Sequence, residues 1–183
     1  RSGKESGYIN TFNLVSGPRW VEIKYIPVFN ARGKVESIVV LGDDITERKA
    51  AEQKLLESEE RYRILVEALP NSVIVHRKGI IEFANQSSAK LVGASSASEL
   101  IGKPVLEFVH PDYRAMAVKR IQSAMASGNP LPVAHEKFMR LDGKALDVEV
   151  NAVPIILNGE QAMLTVSSDI TERKAAEEEL IET

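Results

Sequence analysis

The chain has 183 residues, of which 44% are hydrophobic and 27% charged, and its formal net charge is −3. These values are ordinary for a folded protein, and the slightly acidic balance argues against nucleic acid as a partner. The absence of cysteine excludes disulfides, thiolate metal sites and cysteine nucleophiles. No apolar run approaches the roughly 20 residues of a membrane-spanning helix. We therefore expect a soluble, cytoplasmic segment without direct membrane insertion, although its parent protein could be membrane-anchored.

Three β-strands are predicted before the first helix. Mixed or alternating apolar and polar residues mark strands at 8–15, 20–26 and 35–41, and turn residues separate them at 17–18 and 31–34. A three-stranded meander has one face to bury and nothing within its own span to bury it against. We interpret residues 1–43 as the C-terminal part of a preceding module. Another chain or a detached N-terminal half is expected to cover its apolar face.

The next segment occurs twice. Residues 44–53, which begin Asp44-Ile-Thr-Glu-Arg, return as residues 169–178 with one difference at the last position. The separation, 169 − 44 = 125 residues, matches one small domain and is too long for a solenoid repeat. We therefore expect tandem modules that each end in this segment. The boundaries are a partial module at 1–43, a connecting helix at 44–69, a complete module at 70–168 and the start of an exit helix at 169–183.

Asp44 is predicted to open the connecting helix. Its carboxylate can accept hydrogen bonds from the free N–H groups of Thr46 and Glu47, and both acids suit the positive end of the helix dipole. No glycine or proline interrupts the segment before Pro70. About 25 residues at 1.5 Å each give a rod of roughly 35–40 Å.

Apolar and small residues along this helix recur in alternating steps of four and three, at Ala51, Leu55, Ser58, Tyr62, Leu65 and Leu69. This is the a/d pattern of a two-helix parallel coiled coil, which makes a homodimer the expected assembly. A single amphipathic helix lying on its own domain explains the same pattern. Ala51 and Ser58 are weak core residues, so a coiled coil here is expected to be only marginally stable.

The complete module is predicted to have five strands and four helices. Asn85 caps one helix that Gly93 ends, and Asp142-Gly143 and Asn158-Gly159 are hairpin turns. Strands are expected at 72–77, 80–84, 133–141, 145–155 and 161–168, and helices at 85–92, 98–101, 104–109 and 112–127. This order indicates an α+β fold, namely a five-stranded antiparallel sheet with helices on one face, together with long connecting helices.

Short motifs recur across residues 58–178. They are Leu69-Pro70-Asn71, Phe83-Ala84-Asn85, Leu91-Val92-Gly93, Glu99-Leu100-Ile101-Gly102-Lys103-Pro104, His110-Pro111-Asp112, Asp142-Gly143 and Asp169-Ile170-Thr171-Glu172-Arg173. Together they resemble PAS domains of the bacterial and archaeal sensory-box type with a C-terminal PAC motif. The resemblance implies a PAS fold and a non-catalytic module for sensing or dimerisation. It also implies an effector domain elsewhere in the parent protein, most often the histidine kinase of a two-component system.

Catalytic and cofactor signatures are absent from the sequence. It has no Gly-x-Ser-x-Gly elbow and no Walker-type phosphate loop. His76, His110 and His135 are too scattered to indicate a metal site. The resemblance also argues against two cofactors, because flavin photosensors of the family use a reactive cysteine and haem-binding members commonly take a histidine from the long helix, here 112–127. We expect no flavin, haem or metal, and interpret the three histidines as structural or exposed.

A candidate pocket lies between the inner face of the predicted sheet and the helices. Its lining is predicted to be aliphatic and rich in methionine, with Val73, Val75, Phe83, Leu91, Leu106, Met116, Ile121, Met125, Phe138, Val148, Val150, Leu164 and Val166. A domain of this size needs most such residues for its core. A small apolar ligand is the alternative, since methionine repacks easily around different shapes.

Signal relay is the leading functional hypothesis. It places the coupling between sheet and helices in the repeated segments, at Asp44, Thr46, Glu47, Arg48, Asp169, Thr171, Glu172 and Arg173. Arg173 is expected to pair either with Glu172 or with a carboxylate on the sheet. Asp169 acting only as a helix N-cap is the simpler explanation of the same residues. The competing function is a constitutive dimerisation spacer that binds no ligand and holds two effector domains in register.

Overall fold

The computed structural model describes residues 6–14 and 17–181, so Val15, the predicted end of the first strand, lies outside the described residues. The chain divides into two compact units, Arg1–Tyr62 and Arg63–Thr183. Among the described residues, none of the helices combines the length and the apolar character of a membrane span.

The first unit contains a three-stranded antiparallel sheet. Its strands are β1 (Ser6–Leu14), β2 (Gly17–Phe29) and β3 (Val35–Asp44), hydrogen-bonded in the order β1-β2-β3. The predicted meander is confirmed, but Gly17 and Pro18 begin β2 instead of forming a separate turn. Proline is tolerated there because the start of a strand can lack a ladder donor. Large apolar side chains of the sheet are exposed, among them Tyr8, Phe12, Leu14, Phe29, Ile38 and Val40.

Helix α1 (Thr46–Ala68) follows β3 directly. It begins two residues after Asp44 and ends one residue before Leu69, close to the predicted bounds. None of its residues is buried. Its composition is rich in strong helix formers, and its last turn accepts a hydrogen bond from the Asn85 side chain at the Val66 carbonyl, 3.0 Å away.

The second unit has strands β4 (Ser72–Arg77), β5 (Ile80–Ala84), β6 (Ala134–Met139), β7 (Ala145–Leu157) and β8 (Glu160–Asp169). They form one antiparallel sheet in the order β5-β4-β8-β7-β6. Between β5 and β6 lie α2 (Gln86–Val92), 3₁₀ turns at Ala97–Glu99 and Val105–Phe108, and α3 (Pro111–Ser127). Helix α4 (Thr171–Ile181) follows β8. The predicted α+β fold, a five-stranded antiparallel sheet with helices, is confirmed.

Local signals account for most of the element boundaries. Lys78 and Gly79 both have positive φ, as do Asn158 and Gly159, which is the backbone of the tight hairpin turns that their sequences indicate. The Asn85 side chain accepts from the Ser88 N–H at the start of α2, 3.0 Å away. Helix α3 begins one residue earlier than predicted, because the His110 ring and not Asp112 caps it.

The core of the second unit lies between the sheet and the helices. One cluster joins β4 and β5 to α2 and the 3₁₀ turns, with Phe108 and Leu100 at its centre. A second joins β6 and β7 to α3, and a third packs Ala124 of α3 on Ala152 and Met163. Alanines at the sheet-facing positions of α3 let the helix approach the sheet closely, and a cavity remains beside that contact.

Candidate functional site

The joint between β8 and α4 is held by three hydrogen bonds. The Asp169 side chain accepts from the Thr171 N–H at 2.9 Å. The Ile170 N–H donates to the Asp147 carbonyl at 2.9 Å, and the Asp147 N–H donates to the Thr171 hydroxyl at 3.1 Å. Ile170 is buried beneath them. The start of the helix is thereby attached to the neighbouring strand β7.

The joint between β3 and α1 has the same construction. Asp44 accepts a hydrogen bond from the Thr46 N–H at 2.9 Å. The Ile45 N–H donates to the Trp20 carbonyl at 2.8 Å, and the Trp20 N–H donates to the Thr46 hydroxyl at 2.9 Å. Ile45 is buried like its counterpart Ile170. Within the described part of the chain, Asp44 accepts from the Thr46 N–H and not from the Glu47 N–H. The repeated sequence therefore encodes one repeated strand-to-helix joint.

Ion pairs add a second attachment at the β8–α4 joint. Lys174 on α4 contacts Asp147 at 2.6 Å, and Lys137 on β6 contacts the same carboxylate at 2.9 Å. Bonds from Lys174 and then Lys137 lower the pKa of Asp147. Arg173 lies 3.0 Å from Glu149 of β7, so it pairs with a carboxylate on the sheet and not with Glu172.

Glu149 is also shared. His135 of β6 lies 3.2 Å from it, and the hydrogen bond from Arg173, followed by that from His135, lowers the pKa of Glu149. We call the group formed by Lys137, Asp147, Glu149, Arg173 and Lys174 the charge clamp. It connects the first turn of α4 to two strands of the sheet.

The first joint has no equivalent of this clamp among the described residues. Trp20 makes the backbone bonds that Asp147 makes in the second joint, so a carboxylate is replaced there by an indole. Arg48 and Lys49, which correspond to Arg173 and Lys174, instead contact Glu52 on their own helix at 3.9 and 2.9 Å. The two joints share hydrogen bonds but differ in charge.

A cavity of about 40 Å³ lies between the sheet and α3 in the second unit. Four of the predicted pocket residues line it, namely Leu106, Ile121, Phe138 and Val150. Leu91 and Phe138 line a second cavity of about 30 Å³ next to α2. Val148 is fully buried in the core between β6, β7 and α3. Phe138, Val148 and Val150 thus lie on the face of β6 and β7 that packs toward the helices.

The other predicted pocket residues lie elsewhere. Val73 and Val75 on β4 pair with Val166 and Leu164 on β8, and the antiparallel register puts all four on the sheet face opposite the cavity. Phe83 pairs with Val75, shares that face and is 36% exposed.

The physical reason is a shift of one residue in the assumed pleat. β4 and β8 carry apolar side chains on both faces, so hydrophobicity does not reveal which face is inside. The side chains that point inward are largely polar and include Ser72, His76, Thr165 and Ser167.

The two methionines of α3 are also displaced from the cavity. Met116 is 38% exposed, and Met125 packs at the edge of the cluster formed by Ala124, Ala152 and Met163. Ala117, Ile121 and Ala124 occupy the sheet-facing side of the helix, because small residues permit the close approach of helix and sheet. The cavity is consequently less rich in methionine than predicted.

Four polar residues at the cavity were not singled out as pocket residues from the sequence. His76, Arg120, Glu136 and Thr165 all line it. Glu136 is 4% exposed, and its carboxylate lies 3.5 Å from the Arg120 guanidinium. Burial raises the pKa of Glu136, and Arg120 opposes that shift. Glu136 could have been found from the alternation of β6, because it shares the face of Phe138 two residues later.

Of the two interpretations of His76, structural or exposed, the structure excludes exposure at the surface. His76 is 3% exposed, and burial lowers the pKa of its ring. Its Nδ1 atom is buried without a hydrogen-bond partner among the described residues. His110 caps α3, and His135 joins Glu149 on the outer face of the sheet. No group of three or more potential metal ligands occurs in the described part of the chain.

The predicted seam of α1 is exposed to different degrees. Leu55, Tyr62, Leu65 and Leu69 are exposed, with 66% for Tyr62, whereas Ser58 is half-buried. Ala51 is exposed as well. The large apolar side chains of the seam are therefore uncovered within the described chain.

Comparison with models of known families shows which family this chain belongs to. A family model described as PAS fold matches residues 60–169, more than half of the chain. The chain belongs to the PAS family. A second PAS-fold model matches residues 8–50, which are β1 to β3 and the start of α1. PAS domains are sensory modules, so the two matches make this chain a sensory segment and not a catalytic domain.

Similar proteins agree with this assignment. Sporulation kinase A of Bacillus subtilis (strain 168) is 27% identical over 97% of this chain, and the chain spans 29% of its length. The PAS domain of an HTR-like protein from Haloarcula marismortui has a TM-score of 0.59 and 28% identity, covering 67% of this chain and 99% of its own. A PAS domain from Colwellia psychrerythraea has a TM-score of 0.55 with 21% identity, covering 64% and 98%.

Proposed function

We propose that this chain is a sensory and dimerisation module that relays a signal from its PAS domain through the Asp-Ile-Thr joints to an effector domain. The observation that carries the proposal is the repetition of one joint at two places, with Asp44 and Asp169 making the same bond to the second residue after them. A helix cap alone does not require the additional bonds to β2 and β7. Those bonds support a role in transmission.

The relay is proposed to act through β7. Both ends of the coupling are on this strand, because Val150 and Ala152 face the cavity while Asp147 and Glu149 hold α4. A change in packing at the cavity that shifts β7 would move the attachment point of α4. The clamp pairs are partly exposed, and such pairs are individually weak. Weak pairs suit an element that has two states of similar free energy.

Dimerisation is proposed to occur along α1. Its seam residues Leu55, Tyr62 and Leu65 are exposed in one chain, and a parallel partner would bury them. We further propose that residues 1–43 belong to a second PAS domain, because β1-β2-β3 has the strand order of β6-β7-β8. Elements equivalent to β4, β5 and the helices would cover its exposed apolar side chains.

The effector is proposed to be a histidine kinase in the cytoplasm. The similarity to Sporulation kinase A supports this assignment. The cavity is proposed to be the place where a small molecule acts. The competing function, a spacer without ligand, is favoured by the modest size of the cavity, since about 40 Å³ also accommodates a few water molecules.

Substitution of Asp169 by alanine in the full-length parent tests the relay. We expect the output of the effector to change by more than the small loss of stability explains, and Thr171→Val to have the same effect, because both remove joint bonds. Asp43→Ala, next to the first joint and exposed, is the matched control. A lower melting temperature with unchanged effector output would show that Asp169 is only a helix cap.

A further inference from the structure

Part of the lining of the cavity beside α3 is polar. The inner faces of β4, β6 and β8 bring His76, Glu136 and Thr165 to this cavity, and α3 adds Arg120. His76 is 3% exposed, Glu136 4% and Thr165 7%, so these are core positions and not a polar rim. Buried polar groups are normally hydrogen-bonded, and a cavity lined by several of them is therefore hydrated or occupied.

His76 provides the strongest sign of an occupant. Its Nδ1 is buried with no hydrogen-bond partner among the described residues, and His76 also lines the cavity. Leaving a buried acceptor or donor unpaired is costly, whereas a leucine of similar size would carry no such penalty. A molecule in the cavity that hydrogen-bonds the imidazole would explain a histidine at this core position.

The Arg120–Glu136 pair is also incomplete. The contact between Arg120 Nε and Glu136 Oε1 is 3.5 Å, at the long limit of a hydrogen bond. Arg120 uses another nitrogen on the Pro132 carbonyl at 2.8 Å. A carboxylate has about four acceptor sites, so Glu136 retains capacity for a donor from a ligand.

The lining offers no separate counter-charge to an ionic ligand. Arg120 and Glu136 are the acidic and basic side chains that line the cavity, and they lie beside each other. Burial lowers the pKa of His76, which favours its neutral ring. A ligand carboxylate or ammonium group would enter this site without a counter-charge, and burial of an unpaired charge is strongly unfavourable.

The remaining walls are apolar and limit the size of the ligand. The apolar part of the lining includes Val105, Leu106, Val109, Ile121, Leu131 and Val150. A water molecule needs about 10–15 Å³ of such space, so 40 Å³ accommodates a molecule of only a few heavy atoms. The occupant therefore needs a short hydrocarbon part and one compact polar group.

We infer that the cavity binds a short uncharged amphiphile, with a hydroxyl or primary amide directed to Glu136 and His76 and a hydrocarbon tail against Leu106 and Ile121. This inference rests on the proposed function, because it names the class of molecule that the sensory domain takes. It replaces the purely apolar ligand that the sequence suggested. The chemistry of three buried polar residues and of the half-buried Arg120 determines the class of ligand, and the size of the cavity determines its length.

A series of four three-carbon probes, together with xenon as an apolar probe, tests the inference on the 183-residue chain labelled with ¹⁵N. We would titrate 1-propanol, propionamide, propionate, propylammonium and xenon, and follow the backbone amide shifts of β4, β6 and α3. Saturable shifts are expected with 1-propanol and propionamide in the millimolar range, since so few atoms cannot bind tightly. The two ions are expected to bind at least about tenfold more weakly.

Variants locate the binding. Glu136→Gln, His76→Leu and Thr165→Val are each expected to weaken 1-propanol binding about fivefold or more, because each removes a hydrogen-bonding group or a charge. The matched controls are Glu60→Gln on α1 and His135→Leu on the outer sheet face, which should leave binding unchanged. If His76→Leu fails to fold, the isosteric Glu136→Gln and Thr165→Val variants and the probe series still test whether the probe binds in the cavity.

Three results would overturn the inference. Propionate or xenon binding as well as 1-propanol would show an anionic or apolar site, and no saturable shift with any probe would show a cavity that holds water only. Unchanged binding in all three variants would place the probe elsewhere. Failure here is distinct from failure of the relay, because binding is measured on the chain alone, whereas the relay is measured as effector output of Asp169→Ala in the parent.

Discussion

Removing the charge of Asp147 is expected to weaken the attachment of α4 to the sheet. Asp147→Asn keeps the shape of the side chain and the backbone bonds of the joint, in which the Asp147 N–H donates to Thr171. It removes the negative charge that faces Lys174 at 2.6 Å and Lys137 at 2.9 Å. The substitution therefore separates the charge clamp from the hydrogen bonds of the Asp-Ile-Thr segment.

The size of the effect follows from the exposure of the three side chains. The Asp147 side chain is 16% exposed, whereas Lys174 and Lys137 are 34% and 41% exposed. Pairs of this kind are worth about 0.2–1 kcal/mol each, so we expect the two together to contribute about 1 kcal/mol. For a unit the size of Arg63–Thr183, that corresponds to a melting temperature lower by roughly 3–6 °C.

Thermal unfolding of the unsubstituted 183-residue chain and of the Asp147→Asn variant, followed by circular dichroism, measures this difference in melting temperature at pH 7 in low salt. In 1 M NaCl the Debye length is about 3 Å, and the difference should shrink by more than half. The pKa of Asp147 is lowered in the folded state. Its contribution is therefore fully present above the ordinary Asp pKa near 4 and is lost as the pH falls through the lower folded-state value.

Asp43→Asn is the control for this experiment, since Asp43 is exposed and adjacent to the first joint. It should change the melting temperature by no more than about 1.5–3 °C, which corresponds to the limit of about ±0.5 kcal/mol for an exposed surface site. Equal melting temperatures for Asp147→Asn and the unsubstituted chain at low salt would refute the reasoning. A deficit that persists in full at 1 M NaCl would assign the effect to something other than charge.

Three further substitutions test other parts of the structure. Asn85→Ala should destabilise the second unit by about 2–4 kcal/mol in urea unfolding, because the fully buried side chain makes hydrogen bonds to backbone groups of Val73, Ser88, Val66 and Asn71. A loss of stability no larger than that of the exposed control Asn129→Ala would contradict this role. Gly79→Ala should cost about 1–2 kcal/mol at φ +83°, whereas Gly42→Ala, at ordinary φ, should cost less. Leu65→Asp should lower the dimer fraction in analytical ultracentrifugation if α1 pairs along its seam, while Glu60→Gln should not; a monomer at all concentrations would exclude the coiled coil.

Features that depend on neighbouring residues could be predicted from the sequence. The Asn85 cap, the end of α2 at Gly93 and the hairpin turns at Lys78-Gly79 and Asn158-Gly159 each follow from a few adjacent side chains. The repeated Asp-Ile-Thr segment belongs to this class, since its aspartate contacts a residue two positions later. The first turn of α3 was misassigned by one residue because a histidine ring competes with the aspartate as its cap.

Features that depend on the pleat of the sheet could not be predicted as well. Val73, Val75, Leu164 and Val166 were assigned to the cavity because they are apolar, yet polar residues alternate with them on the inner face. In a strand that is apolar on both faces, composition does not specify the register. The same polar residues, His76 and Thr165, give the cavity its chemistry, so the departure from the hydrophobic pattern coincides with the candidate site.

Deletion of the complete PAS domain, residues 70–168, from the full-length parent tests the central claim most directly. The deletion should join α1 to α4 with the helical phase preserved, so that a dimeric connection to the effector remains. The measurement is effector output under conditions that raise and lower it in the undeleted protein. The relay predicts output that no longer responds to those conditions, whereas output regulated as in the undeleted protein would contradict it and identify the domain as a spacer.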